Sequence, residues 1–133
     1  MATERIAQIR AGLDAFRRTG KITAGFLAPD FELRQATSII DSAGTFHGPD
    51  AFQDVLEELQ ESFENLSFEP ERFVEAPSGE VVALIHVRGR GRGSGIEVDN
   101  HIAWVWTFSE EQVALLTVYE DPADALSSVG LTG

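Results

Sequence analysis

Histidine is the side chain in this sequence best suited to proton transfer, and His86 and His101 both fall in extended segments. An imidazole titrates near physiological pH and acts as an acid or base when it reaches a ligand cavity. His86 is therefore the first candidate catalytic residue, although a strand histidine satisfied by one buried hydrogen bond explains the same position. His47 lies before a predicted helix, where packing is the default role. Because the three histidines match no metal motif, we expect neither a metal site nor a cofactor.

The alternating run RGRGRG at residues 88–93 is the most unusual stretch of the sequence. Side chains in a strand alternate between its two faces, so Arg88, Arg90 and Arg92 would share one face. Glycine in a strand marks a bend, a bulge or the close approach of another element. We therefore predict a bent strand here, and not an arginine-rich tail that binds nucleic acid.

The arginines of this strand need partners. Glu97 and Asp99 lie across the following turn and are the expected ones, each exposed pair contributing about 0.2–1 kcal/mol. An alternative is that Arg88 lies at the rim of a cavity and attracts an anionic ligand. Asp99 also precedes His101 by two residues on the same strand face, so we expect an ion pair between them.

Helices and strands that position these groups are indicated by hydrophobic spacing. Residues 4–18 and 50–66 carry apolar side chains at helical spacing, and residues 122–130 predict a short third helix capped by Asp121. The first strand begins near Phe31, and four consecutive strands joined by tight turns follow the second helix. This order predicts an α+β fold in which helices cover one face of a bent antiparallel sheet and leave a cavity at its open end.

Length and composition restrict the class of protein. At 133 residues the chain has the size of one ordinary domain, and we treat residues 1–133 as a single unit. A formal charge of −12 disfavours phosphate backbones and anionic membranes, and the absence of cysteine excludes disulfides and thiolate metal sites. The charged N-terminal segment differs from a signal peptide, and no apolar run approaches roughly 20 residues. We therefore expect a cytoplasmic protein that binds neither nucleic acid nor a membrane.

Three segments in this order, GTFHGPDAF, RGRGRGSGIEVDNHIAWVWTF and VYEDPADAL, resemble the SnoaL-like polyketide cyclase group. That group belongs to the superfamily named after nuclear transport factor two, which includes ketosteroid isomerases and limonene epoxide hydrolases. The resemblance covers nearly the whole chain. It implies a curved antiparallel sheet wrapped around about three helices, a cone-shaped half-barrel with an internal pocket. It also implies a homodimer joined through the outer face of the sheet.

The catalytic sets known in that superfamily are not reproduced in this sequence. Alignment with ketosteroid isomerases puts Gln35 near the position of their base, and an amide cannot serve as a general base near neutral pH. Alignment with the epoxide hydrolases puts His86 and Arg88 where their arginine–aspartate pair lies. SnoaL-type cyclases carry an acidic catalytic residue in the C-terminal part of the sheet, so the resemblance implies Asp121 or Glu120 as its counterpart.

We therefore expect a domain that binds a small apolar molecule. One interpretation is an isomerase, cyclase or hydrolase acting on an apolar carbonyl or polycyclic compound, and the other is a noncatalytic binding or dimerisation module. The candidate catalytic residues are His86 and Asp121. Some of the aromatic residues, including Phe16 and Phe26, should form the pocket wall. The candidate binding residues are Gln35, Phe52, Arg88, Trp104, Trp106 and Tyr119.

Overall fold

The computed structural model describes residues 2–19, 26–36, 45–77, 79–109 and 112–130, which form three helices and six strands. The helices are α1 (Ala2–Thr19), α2 (Pro49–Ser62) and α3 (Pro122–Ser128). The strands are β1 (Leu27–Ala36), β2 (Thr45–His47), β3 (Phe63–Glu75), β4 (Val81–Gly91), β5 (Glu97–Ser109) and β6 (Gln112–Tyr119). In this part of the chain no helix is both long enough and apolar enough to cross a membrane.

The six strands form one curved sheet, which does not close into a barrel, in the order β2-β1-β6-β5-β4-β3. Strands β3 to β6 follow one another as an antiparallel meander, as the tight turns between them predict. Strand β1 pairs in parallel with β6, whereas antiparallel pairing was expected throughout the sheet. The reason is that β1 and β6 lie far apart in the chain, so no tight turn fixes their relative direction.

The sheet has an inner face, covered by α1 and α2, and an outer face, partly covered by α3. Along β4 the odd-numbered residues from Val81 to Val87 belong to the inner core, while Val82 packs in a separate outer cluster. On β5, Trp104 and Trp106 join the inner core and Ala103 joins the outer cluster, as strand alternation predicts. The expected α+β class is therefore confirmed, with two helices on the inner face and one on the outer face.

The second helix ends at Ser62 and not at residue 66, where its apolar pattern places the end. Phe63 fits the helical apolar stripe but is the first residue of β3, where it pairs with Gly91. Asn65 then adopts a left-handed conformation with a φ of 54°. The prediction failed here because an apolar residue at this spacing fits the last turn of a helix as well as the start of a strand.

The run of arginine and glycine forms the end of β4 and the turn that follows it, so the predicted strand is confirmed. A Cβ atom on Gly89 would lie 3.1 Å from Leu66 Cδ1 and 3.3 Å from Leu66 Cα, both in β3. The bare backbone at Gly89 therefore lets β3 and β4 pack closely. Arg90 Nη2 lies 3.1 Å from Glu97 Oε1, which is one of the expected pairs. Arg92 lies in the turn and does not continue the arginine face.

The third helix begins with the cap that the sequence predicts. Asp121 has an extended backbone, and its Oδ1 accepts a hydrogen bond from the Ala123 N–H at 2.9 Å. Pro122 occupies the first helical turn, where its missing N–H costs nothing. Ala125 and Leu126 then pack into the outer cluster. Capping by Asp121 therefore fixes where α3 starts on the sheet.

Replacing Asp121 by alanine should lower the free energy of unfolding by about 1 kcal/mol, because a helix N–H loses its acceptor. Asp121→Asn keeps a capping oxygen and should stay within about 0.5 kcal/mol of the parent protein. Urea unfolding followed by circular dichroism measures both variants. Equal losses in the two variants would contradict the capping role.

Candidate functional site

A cavity of about 270 Å³ lies between α1, α2 and the inner face of the sheet. Its volume is close to the lower end of the range for small-molecule sites, about 300–1,000 Å³. Most of its wall is aliphatic or aromatic. The residues that line it are Gly12, Leu13, Phe16, Arg17, Phe26, Phe52, Leu56, Gln60, Leu66, Ser67, Phe68 and Trp104. An internal pocket therefore lies where the curved-sheet prediction places it.

Helix α2 and the strands β3 and β5 supply much of this wall. Phe52, Leu56 and Gln60 reach the cavity together because residues four apart share one face of a helix. Phe68 from β3 and Trp104 from β5 meet with ring centroids 5.3 Å apart and planes tilted by 40°. Tilted aromatic pairs of this kind are favourable, so the two rings form a well-packed section of wall.

Helix α1 and Phe26 close the opposite side of the cavity. A Cβ atom on Gly12 would lie 3.0 Å from both Cε2 and Cζ of Phe26, which is too close for an ordinary contact. Glycine at this position therefore lets the Phe26 ring lie directly against the helix backbone. Because this ring is part of the lining, Gly12 helps to set the width of the cavity.

Three polar residues line the cavity: Arg17, Gln60 and Ser67. The side chain of Arg17 is 54% exposed, and its Nη1 lies 3.8 Å from Asp14 Oδ1, which is a long and weak surface pair. Its guanidinium is therefore well placed to meet a ligand at the mouth. Within the described part of the chain, the lining contains no histidine, carboxylate, lysine or tyrosine. This wall thus offers a cation and hydrogen-bonding groups but no general acid or base.

Two of the predicted binding residues, Phe52 and Trp104, lie in the cavity wall. The predicted wall residues Phe16 and Phe26 line it as well. Trp106 lies one layer behind, only 1% exposed, with its ring 5.8 Å from that of Trp104 in an edge-to-face contact. The backbone of Gln35 belongs to β1, but its side chain falls outside the described residues.

Four other predicted site residues do not line the cavity. His86 and Arg88 occupy even-numbered positions of β4, which point to the outer face. Tyr119 packs beside the outer cluster, and Asp121 caps α3. The structure therefore brings neither candidate catalytic residue into the cavity. The sequence left the direction of His86 open, because both faces of β4 are apolar enough to be covered.

His86 and His101 lie opposite each other on the outer face, across the β4–β5 pair. Their rings stack with centroids 4.3 Å apart and an angle of 16° between the planes. His86 Nε2 is 2.5 Å from Asp99 Oδ1, and His101 Nδ1 is 2.8 Å from Glu71 Oε1. The sequence predicted a pair between Asp99 and His101. Asp99 instead reaches the diagonal neighbour across the strands, and His101 finds a carboxylate on β3.

His86 Nε2 and Asp99 Oδ1 form a short hydrogen bond, in which an ionised carboxylate is the acceptor. Arg88 Nε lies 3.3 Å from the same nitrogen and brings a positive charge beside it. The hydrogen bond from His86 lowers the pKa of Asp99 below 3.8; partial desolvation opposes this, and the charges of His86, Arg88 and His101 reinforce it.

The polar lining of the cavity is what the sequence analysis missed. Arg17 follows Leu13 by four residues, and Gln60 follows Leu56 by four, so helical spacing carried a signal for both. Ser67 carried no comparable signal, because it lies just beyond the predicted end of the second helix. Its place in the cavity depends on the early start of β3.

The pKa of Asp99 should lie below 3.8 in the folded protein and rise toward that value in His86→Ala. A carboxyl group whose pKa falls on folding stabilises the fold above its unfolded pKa, and this contribution is lost as the pH falls through the folded pKa. The stability difference between the parent and Asp99→Asn should therefore shrink between about pH 5 and pH 2. NMR titration measures the pKa of Asp99. Urea unfolding in buffer that contains EDTA measures the stability difference between the two proteins at each pH. An Asp99 pKa that His86→Ala leaves unchanged would contradict this account.

Solved structures share this fold over most of their length. An NTF2-like protein from Burkholderia thailandensis is 20% identical, with 90% of this chain and 89% of that chain covered and a TM-score of 0.72. TerC, co-crystallized with polyporic acid, is 18% identical, with 94% and 96% covered and a TM-score of 0.70. A protein from Shewanella putrefaciens, provisionally assigned as a SnoaL-like polyketide cyclase, is 17% identical, with 95% of each chain covered and a TM-score of 0.68.

Sequence comparison identifies the family. No curated protein matches the chain at a significant level. The family model described as the SnoaL-like domain matches residues 9–116, which include the C-terminal part of α1, all of α2 and nearly all of the sheet. The resemblance noted from the sequence is therefore confirmed, and the chain belongs to the SnoaL-like domain family.

Proposed function

We propose that this SnoaL-like domain binds a small, flat, mostly apolar molecule that carries an anionic edge. The observation that carries the proposal is the composition of the cavity lining, which is mostly aromatic and aliphatic and includes a few polar residues, among them Arg17. Burial against such a wall supplies affinity for apolar rings, and the few polar groups orient the ligand. The cavity is thus suited to a ligand with one apolar body and one polar end.

The size of the cavity narrows the ligand class. A volume of about 270 Å³ favours one or two rings over the four-ring compounds that a larger pocket would hold. Phe52, Phe68 and Trp104 present rings to this space, and aromatic contacts favour a planar ligand that packs against their faces or edges. We therefore expect small aromatic or alicyclic ligands, and not the larger polycyclic compounds that the sequence analysis included.

Arg17 indicates that the ligand carries a negative charge. The protein carries a formal charge of −12, yet the charged side chain of the described lining is a cation. A charge-assisted hydrogen bond from a guanidinium to a carboxylate or enolate is stronger than a neutral one, and it takes a planar, two-point form. The sequence analysis considered Arg88 at the cavity rim as an alternative to ion pairing across the strands. Arg17, and not Arg88, lines the cavity.

Binding, and not proton transfer, is the activity that the described wall supports. Isomerase or cyclase chemistry requires an acid or base within reach of the ligand, and His86 and Asp121 lie on the other side of the sheet. A guanidinium has N–H donors and no acceptor, so Arg17 serves as an anion partner and not as a base. TerC, which has a similar fold, was co-crystallized with polyporic acid, and an acidic ligand is what we propose for this chain.

The homodimer implied by the family resemblance stays a prediction. Helix α3 covers part of the outer face, and the histidines and carboxylates of β3 to β5 occupy another part. A dimer through this face would therefore include polar contacts as well as apolar ones. Sedimentation velocity over a range of protein concentrations distinguishes a dimer from a monomer.

The ligand proposal can be tested with 2-naphthoate, which joins two fused rings to one carboxylate. We expect saturable binding at one site, with 2-naphthol binding more weakly and 2-naphthylmethylammonium weakest, because Arg17 favours an anion. Isothermal titration calorimetry measures all three. If none of the three probes binds at concentrations up to about 1 mM, corresponding to about −4 kcal/mol, the proposed function is wrong.

Removing the charge of Arg17 at the mouth of the cavity should weaken the binding of the anionic probe alone. Arg17→Gln should weaken 2-naphthoate binding about 5- to 10-fold and leave 2-naphthol binding unchanged, because only the anion loses a charged partner. The matched control is Arg18→Gln, since Arg18 is also exposed on α1 but does not line the cavity. Equal weakening by the two substitutions would indicate a general charge effect and contradict a specific role for Arg17.

Loss of the aromatic wall should act on both probes. Trp104→Ala should weaken 2-naphthoate and 2-naphthol by about tenfold or more, because a large buried contact area is lost. Trp104→Phe keeps an aromatic face and should recover part of the affinity of each probe. His86→Ala should leave both affinities unchanged, since His86 faces away from the cavity. A loss of affinity in His86→Ala with the fold intact would contradict this placement of the site.

A further inference from the structure

The outer face carries a second polar site, and we infer that it binds one divalent transition-metal ion of the zinc class. The ligands are His86, His101 and Glu71. One ligand atom from each lies within 4.8 Å of those from the other two. This site is separate from the cavity, so the inference goes beyond the proposed ligand-binding function.

Three neighbouring strands bring these side chains together. His86 on β4 and His101 on β5 are direct partners in the sheet register. On β3 the register shifts between Pro70 and Arg72, so Glu71 is an extra residue in a bulge. A bulge changes the direction of a side chain, and here the Glu71 carboxylate reaches His101 at 2.8 Å. The cluster is therefore built by local features of the sheet and not by a sequence motif.

The donor atoms suit zinc. Two imidazoles with one or two carboxylates form a common N/O ligand set for this ion, with bonds of about 2.0–2.2 Å. A tetrahedral set with such bonds has ligand atoms roughly 3.3 Å apart, so the separations of up to 4.8 Å must contract by up to about 1.5 Å. His101 and Glu71 have side chains 57% and 47% exposed and are free to make this adjustment. His86, with a side chain only 11% exposed, supplies the fixed ligand.

The charges around the two imidazoles also favour a cation. Each ring already faces a carboxylate, Asp99 for His86 and Glu71 for His101, so negative charge lies on both sides of the stacked rings. Arg88 opposes this effect, with Nε 3.3 Å from His86 Nε2. Its side chain is exposed and can turn toward solvent, but its charge should reduce the affinity for metal.

A metal at this position would link β3, β4 and β5 on the outer face. Three protein ligands leave one position of a tetrahedral zinc ion to a water molecule. Because the site is assembled only in the folded protein, bound metal should stabilise the fold. The expected consequence is a rise in the unfolding temperature that depends on the zinc concentration.

Metal binding should be measured on the untagged full chain after dialysis against EDTA and then against metal-free buffer. Calorimetric titration with zinc chloride should give one equivalent with a micromolar or lower dissociation constant. Cobalt(II) should give the visible absorption of a tetrahedral site. His101→Ala should reduce zinc affinity about tenfold or more and abolish the zinc-dependent rise in Tm. His101 is exposed, so this variant tests the site without loss of buried packing.

Two further variants sharpen the test. His47→Ala is the matched control, because His47 is an exposed histidine that lies near Glu32 and outside the cluster, and it should bind zinc as the parent does. Arg88→Gln should bind zinc several-fold more tightly, since the opposing charge is removed. No saturable zinc binding up to about 1 mM, or equal affinity in His101→Ala and the parent, would overturn the inference. Titration of 2-naphthoate into the same samples reports on the cavity independently.

Discussion

The pairing of β4 with β5 is the constraint on which both sites of this protein depend. Its register sets Ala83 opposite Trp104 and His86 opposite His101. Because side chains alternate along a strand, the same pair of strands supplies part of the cavity wall on one face and the stacked imidazoles on the other. A shift of one strand by a single residue would exchange its inner and outer side chains and remove both arrangements together. The buried residues on both faces of β4 make such a shift costly.

Close approach between elements gives this sheet its particular shape. Gly89 lets β3 lie against β4, and Gly12 lets Phe26 lie against α1, so the absence of two side chains helps to define the cavity. The bulge at Glu71 turns a carboxylate toward the outer face. Each of these features depends on a single residue, and none of them follows from the hydrophobic pattern of its helix or strand.

Membership of the SnoaL-like family accounts for the curved sheet and its cavity but not for the contents of the cavity wall. A fold of this kind supports different functions, and the side chains that face the ligand determine which one is present. In this chain the described wall combines aromatic rings with Arg17, while the histidines and their carboxylates lie on the opposite face. Apolar recognition and the imidazole chemistry are therefore separated by the thickness of the sheet.

The sequence by itself determined the features that depend on neighbouring residues. Helical spacing, tight turns and the capping residue Asp121 predicted the three helices and the four-strand meander, and alternation placed Trp104 and Trp106 on a common face. Local pattern failed at Phe63, whose apolar side chain suits either the end of a helix or the start of a strand. It also could not identify the inner face of β4 and β5, since both of their faces are apolar.

Only the tertiary structure decided which residues meet. The parallel pairing of β1 with β6, the entry of Arg17 and Ser67 into the cavity, and the outward direction of His86 all follow from contacts between distant parts of the chain. Glu71 and His101 are 30 residues apart and belong to strands separated by β4, yet they form a hydrogen bond. Periodicity reports on the faces of one element, whereas a site requires the register, the curvature and the packing of several elements together.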